Sequence, residues 1–163
     1  MAASAADGQY VVFSVGDEEF ALDISQVREI IRPPAVTRLP HAADFIEGVT
    51  NLRGQVIPIV DLRKRFGVEG KAPDPRVVVA EVDGEKVGLR VDAVTEVRRI
   101  PASNIEPPPE TVAGIRSDFL KGVGKVESRL VILLDINKLF ASTEKIDLAA
   151  VREGLANGEP QTV

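Results

Sequence analysis

Apolar residues in this chain come in short runs bounded by turn residues, with little of the 3.6-residue spacing of long amphipathic helices. Tyr10-Val11-Val12-Phe13-Ser14-Val15 is rich in β-branched and aromatic residues and predicts a strand, followed by turn chemistry at Gly16-Asp17-Glu18-Glu19. Phe20 to Ile24 and Val27 to Ile31 continue as strands until Pro33-Pro34 stops them. Ala42 to Glu47 suits a short helical turn before Gly48. Gln55 to Val60 is an apolar strand, and Pro58, which cannot donate to a ladder, predicts an edge or a bulge there. Asp61 is placed to cap a short helix over Leu62 to Phe66. After a polar linker, Gly67 to Pro75, strands are expected at Arg76 to Ala80 and Val87 to Val91, joined by the hairpin signal Asp83-Gly84. Pro101 to Pro109 reads as a connection. Ser142 to Leu155 carries apolar residues at helical spacing before Asn157-Gly158. Residues 1–8 and 158–163 are expected to be disordered.

The pattern repeats. Residues 45–66 and 119–140 align without gaps, and six of 22 positions are identical: Phe45/Phe119, Gly48/Gly122, Val49/Val123, Asp61/Asp135, Lys64/Lys138 and Phe66/Phe140. Upstream, Phe20 to Ile30 matches Val87 to Val97. Such self-similarity marks two related units, a first copy over roughly 9–75 and a second over roughly 76–141. About five short strands per copy suit a small closed barrel, which removes exposed sheet edges. Two such barrels, side by side, have a seam between them, and an exchange of strands between the copies stays open. Where the copies agree, shared folding accounts for the agreement: Asp61/Asp135 as helix caps, Gly48/Gly122 as turn or close-approach positions.

Composition narrows the functions. The formal charge is −5 and aromatic residues make up 4% of the chain, with no Trp, so neither a dense basic patch nor stacking platforms for nucleic acid are in view. The one local basic cluster, Arg63-Lys64-Arg65, reads as a solvated helix face. The absence of Cys removes disulfides and thiolate metal sites and fits a reducing cytosol. No apolar run approaches the roughly 20 residues of a membrane helix, and the N-terminus lacks a signal-peptide pattern.

A catalytic set does not assemble. His41 is the only histidine, beside Pro40 in a connection, and no nucleophile elbow accompanies it. Gly122-Val123-Gly124-Lys125 lacks the hydroxyl residue a phosphate loop places after its lysine; Val126 stands there. No metal or cofactor set is expected. The informative difference between the copies is Asn51-Leu52-Arg53-Gly54 against Lys125-Val126-Glu127-Ser128: the apolar position persists while Arg becomes Glu. Folding does not dictate that arginine. Its forked donors can pin a carboxylate or carbonyls of a partner, or form an internal salt bridge to a carboxylate such as Glu29, and the two roles are compatible.

The stretch F-I-E-G-V-T-N-L-R-G-Q-V-I-P-I-V-D-L-R, Phe45 to Arg63, resembles the signature of the CheW family of chemotaxis adaptors. F-A-L-D-I-S-Q-V-R-E-I, V-G-L-R-V-D-A-V-T-E-V and L-V-I-L-L-D-I-N-K-L-F fit around it, so that the resemblance spans residues 8 to 141. It implies a mainly β fold of two intertwined five-stranded SH3-like barrels, with short helices and a C-terminal helix over 142–157. It implies no catalysis and no cofactor. The partners implied are the helical tip of a chemoreceptor (a methyl-accepting chemotaxis protein) and the regulatory domain of the histidine kinase CheA. The protein would be cytoplasmic, free-standing, monomeric in isolation and assembled in receptor arrays. Carried over residue by residue, the receptor surface would lie between the barrels at Val27, Glu29, Gly48, Arg53, Gly54 and Val87. The kinase would meet apolar barrel rims, with Ile30, Ile31 and Val36 proposed for the first barrel. The resemblance leaves two alternatives: a CheW-like scaffold in a pathway with a non-swimming output, and a small-barrel nucleic-acid-binding protein.

Overall fold

Strands dominate because β-branched residues fill the apolar runs. In a computed structural model that describes residues 7–40, 42–107, 111–112, 115–116 and 120–139, the first copy supplies β1 (Asp7–Val15), β2 (Glu18–Asp23), β3 (Val27–Ile31), β4 (Ile46–Leu52), β5 (Gln55–Asp61) and α1 (Leu62–Phe66). The second supplies β6 (Arg76–Val82), β7 (Glu85–Val91), β8 (Ala93–Pro101), β9 (Ile105–Glu106), the short pair β10 (Thr111–Val112) and β11 (Ile115–Arg116), β12 (Leu120–Val126), β13 (Arg129–Leu134) and α2 (Ile136–Leu139).

The copies exchange their first hairpins. One sheet runs β8-β1-β2-β13-β12-β9 and the other β3-β6-β7-β5-β4. Under the sequence repeat, β1, β2, β3, β4 and β5 correspond to β6, β7, β8, β12 and β13. Both sheets therefore have the same strand order, and each takes its first two strands from one copy and its last three from the other. The two barrels are thus intertwined, as the resemblance implies. One barrel has a sixth strand, the two-residue β9.

Closure explains the shared glycines. In the six-stranded barrel, the segment that leaves β8 becomes β9 and pairs with β12, at the far edge of the sheet. In the five-stranded barrel, the segment after β3 makes the same return: Thr37 pairs with Val49 through hydrogen bonds of 2.8 and 2.9 Å. A Cβ on Gly48 would stand 2.1 Å from the Thr37 carbonyl oxygen, and one on Gly122 would stand 2.8 Å from that of Glu106. Both glycines are close-approach positions where the returning segment crosses strand four of its copy.

The largest core lies between the barrels. Phe13, Phe20, Leu22, Leu62, Val78, Leu89, Ile132 and Leu134 are all buried there. Stacked rings tie β1, β2 and α1 together, with centroids 6.1 Å apart for Phe13 and Phe20 and 5.0 Å for Phe20 and Phe66. Each barrel also has its own interior, around Val12, Ala21, Val131 and Leu133 in one and Ile57, Ile59, Val77 and Val79 in the other. The exchanged hairpins are buried on both faces, which accounts for their nearly continuous apolar runs.

Several local expectations are corrected. Residues 42–47 form no helical turn: Asp44 and Phe45 lie in a turn, and β4 begins at Ile46 because it pairs with β5. Pro58 lies in a strand that is flanked on both sides, but the ladder from β5 to β7 starts only at Ile59, so no partner there needs its missing N–H. β1 begins at Asp7, because Asp7 and Gly8 pair with Pro101 and Ile100 of β8. Asp61 and Asp135 cap as expected, accepting from the backbone N–H of Arg63 (2.9 Å) and of Lys138 (3.1 Å). His41, the expected C-terminal helix over 142–157 and the tail 158–163 lie outside the described residues.

Candidate functional site

The Asn51-Leu52-Arg53-Gly54 stretch forms the tip of the β4–β5 hairpin. Leu52 pairs with Gln55, so Arg53 and Gly54 are a two-residue loop, both with positive φ (53° and 82°), the geometry favoured where strands twist right-handed. The Asn51 side chain accepts the Gly54 N–H at 2.8 Å and fixes the turn. This lifts Arg53 clear of the barrel, with its side chain 66% exposed. From there Nη2 donates to both carboxylate oxygens of Glu29 on β3. The internal salt bridge, one of the two roles the sequence leaves open to Arg53, is present, and it straps β3 to the hairpin tip.

The second copy makes a comparable strap with other residues. Glu127, at the equivalent tip and also at positive φ (57°), accepts from Arg98 of β8 at 2.9 Å. Arg129 donates to Glu96, the counterpart of Glu29. The Arg98 guanidinium holds the Glu127 carboxyl below the usual carboxylate range. Strand three is thus tied to hairpin 4–5 in both barrels, while the charge presented at the tip is reversed.

The structure gathers only part of the expected receptor set. Arg53, Gly54 and Glu29 share one face, with Val27 half-buried on the same strand as Glu29 and packed against the central core. Gly48 is buried beneath Val36 and Thr37, where it serves closure. Val87 is 2% exposed within the central core, so it shapes the seam from inside and presents no side chain to a partner. Of the three rim residues, Ile30 is exposed at 42%. Ile31 and Val36 are half-buried and pack against the interior of the five-stranded barrel. The sequence repeat pairs Ile30 with Val97, which is likewise exposed, at 54%; that equivalence was the available signal for a matching apolar position on the other barrel.

One polar element was misread from sequence. Arg63 is not a solvated helix residue. Its Nε and Nη2 donate to Asp92 at 2.8 and 2.7 Å, and its Nη1 donates to the Glu69 carbonyl at 2.6 Å. Asp92 also accepts from Gly16 N–H (2.8 Å), and its own N–H donates to the Ser14 carbonyl (2.9 Å). Asp92 therefore joins the β1–β2 turn of one barrel to the helix that follows β5 of the other. The hydrogen bond to Asp92 raises the Arg63 guanidinium above its ordinary value. Arg65 lies over the Phe45 ring, 5.0 Å from its centroid, which leaves Lys64 as the solvated member of the cluster. Among the described residues, no group of three His, Cys, Asp or Glu side chains is placed to hold a metal ion, and no helix is long and apolar enough to cross a membrane.

A family model described as the CheW-like domain matches residues 9–144. The chain belongs to this family. A chemotaxis protein CheW from Klebsiella aerogenes is 41% identical over 138 residues, which cover 83% of each chain. One from Rhizobium meliloti is 37% identical over 139 residues, covering 84% of this chain and 90% of that one. The crystal structure of the scaffolding protein TtCheW from Thermoanaerobacter tengcongensis superposes with a TM-score of 0.79 at 40% identity, covering 85% of this chain and 95% of that chain. The SH3-like barrel pair described above is consistent with that scaffold, and the Asn51–Gly54 turn lies within the matched domain.

Proposed function

We propose that this protein is a non-catalytic chemotaxis adaptor that couples the cytoplasmic tips of chemoreceptors to the regulatory domain of the histidine kinase CheA. The reading is supported by the family membership and by relatives named as chemotaxis and scaffolding proteins. The observation that carries it is the hairpin tip. Arg53 is held in an exposed, strained turn by a side-chain bracket and aimed by Glu29, although a barrel of the same order folds in the second copy with a glutamate at that position.

The receptor surface is the face formed by Glu29, Arg53 and Gly54 with Val27 behind them. It suits a helix presented side-on, with a few polar orienters beside apolar contacts. Gly48 and Val87 support this face from within the fold. The kinase surface is placed at the mouth of the five-stranded barrel, where Ile30 is the exposed anchor and Ile31 and Val36 form its base. In this reading the protein works in the cytoplasm, is monomeric alone, and reaches the membrane only through receptor arrays. Individual contacts need be no tighter than about micromolar, since an array multiplies them.

The test is co-sedimentation with receptor-tip fragments, run beside a pull-down with the kinase regulatory domain. Arg53→Glu should keep the fold by circular dichroism, lose receptor co-sedimentation and retain the kinase. Ile30→Asp should do the reverse. An unfolded Arg53→Glu would make the arginine a brace and remove it from the site, and a wild-type protein that captured neither partner would end the adaptor reading.

A further inference from the structure

A second surface, away from the hairpin tip, carries an excess of unpaired positive charge on an otherwise acidic protein. A recess of about 210 Å³ opens between the 67–75 linker, α1, β4 and the end of β7. Two of its cations are committed: Arg63 to Asp92, and Arg90 to Glu47 at 3.4 Å. Its third carboxylate, Asp61, is occupied as the cap of α1. Arg38, Lys64 and Lys71 also line it; all three are exposed and have no side-chain partner among the described residues. The linker is held at the recess by the bond from Arg63 to the Glu69 carbonyl, and its Lys71 lines the same recess as Lys64 and Arg38.

We infer that this recess binds a short acidic peptide segment of a partner protein. The space is smaller than the roughly 300–1,000 Å³ of typical small-molecule sites, which disfavours a nucleotide and suits an inserted carboxylate side chain. Three unpaired cations spread over an open rim match a charged segment laid across it, and rim charges of this kind set association and register.

The experiment is a fluorescence-anisotropy titration of the full chain with fluorescein-labelled hexaglutamate at low salt, with inorganic phosphate as competitor. We expect saturable binding that weakens as salt rises. Lys71→Glu and Arg38→Glu should each lower affinity by about five-fold or more, since reversal replaces an attraction with a repulsion. Lys125→Glu, on the other barrel, should leave it unchanged. Lys71 lies on an exposed linker, so its variant tests the site without disturbing the core. No saturable binding, an equal loss with Lys125→Glu, or displacement by phosphate at the concentrations at which the peptide binds would overturn the inference; the last outcome would make the recess a small-anion site. The adaptor reading uses a different face and does not depend on the result.

Discussion

The Arg63 guanidinium grips the Asp92 carboxylate through two hydrogen bonds at a place where the side chains are only 18% and 14% exposed. The pair pins helix α1 to the start of β8, and through the Gly16 N–H it also reaches the β1–β2 turn. Asp92→Ala should therefore destabilise the protein by about 2–4 kcal/mol, between the values for exposed and fully buried pairs, because it strands a half-buried cation and an N–H donor together. Urea unfolding checks this, and a loss below about 0.5 kcal/mol would show that the pin is not structural.

Gly48→Ala and Gly54→Ala should separate sharply. The first puts a methyl group 2.1 Å from the Thr37 carbonyl oxygen and 2.6 Å from Val36, at a φ of +153°. It should cost about 3 kcal/mol or more, since backbone must move. The second meets nothing within 4 Å and bears only the strain of φ +82°, about 1 kcal/mol. Paired thermal melts give the comparison, and similar losses for the two would contradict the closure argument.

Removal of Arg53 should affect binding far more than folding. Its link to Glu29 is made from a side chain that is two-thirds in water, and such exposed pairs contribute about 0–1 kcal/mol. Arg53→Ala should thus stay within about 1 kcal/mol of wild type in urea while losing most receptor co-sedimentation.

The counterpart strap gives a pH signature. Arg98 lowers the Glu127 carboxyl pKa, first through their hydrogen bond and then through its charge. A carboxyl that is more acidic in the folded state stabilises the fold above its unfolded-state value, and that contribution fades as pH falls through the lowered folded-state value. NMR titration of the Glu127 side-chain carboxyl should show it below the ordinary glutamate range, and Arg98→Ala should return it there. An unchanged titration in the variant would dissociate the two groups.

Much of this fold was legible because strands, turns and caps are local. The runs at Tyr10–Val15 and Gln55–Val60, the Asp83-Gly84 hairpin and the caps at Asp61 and Asp135 each follow from neighbouring residues. The Gly48/Gly122 pair was legible as turn or close-approach positions because the duplication kept glycine twice, and close approach is what the structure has. What approaches each one, the return of Thr37 or Glu106, was not, since barrel closure is a long-range contact. The Arg53–Glu29 strap could be anticipated from the asymmetry between the copies. Arg63 and Val87 were misplaced for a common reason: their surroundings are built by the other copy. Asp92 comes from beyond the linker to meet Arg63, and the first-copy residues Leu22 and Leu62 share the core that covers Val87. No feature near either residue in the sequence announces such a partner.

The crossed arrangement of the hairpins has a mechanical consequence. Neither barrel owns a complete set of strands, so a cut in the 67–75 linker would yield two fragments that can each be completed only by the other. Loosening one lobe withdraws staves from its neighbour, and force or heat applied at either end should meet a single, all-or-none resistance. Two barrels laced together in this way are built to move as one piece.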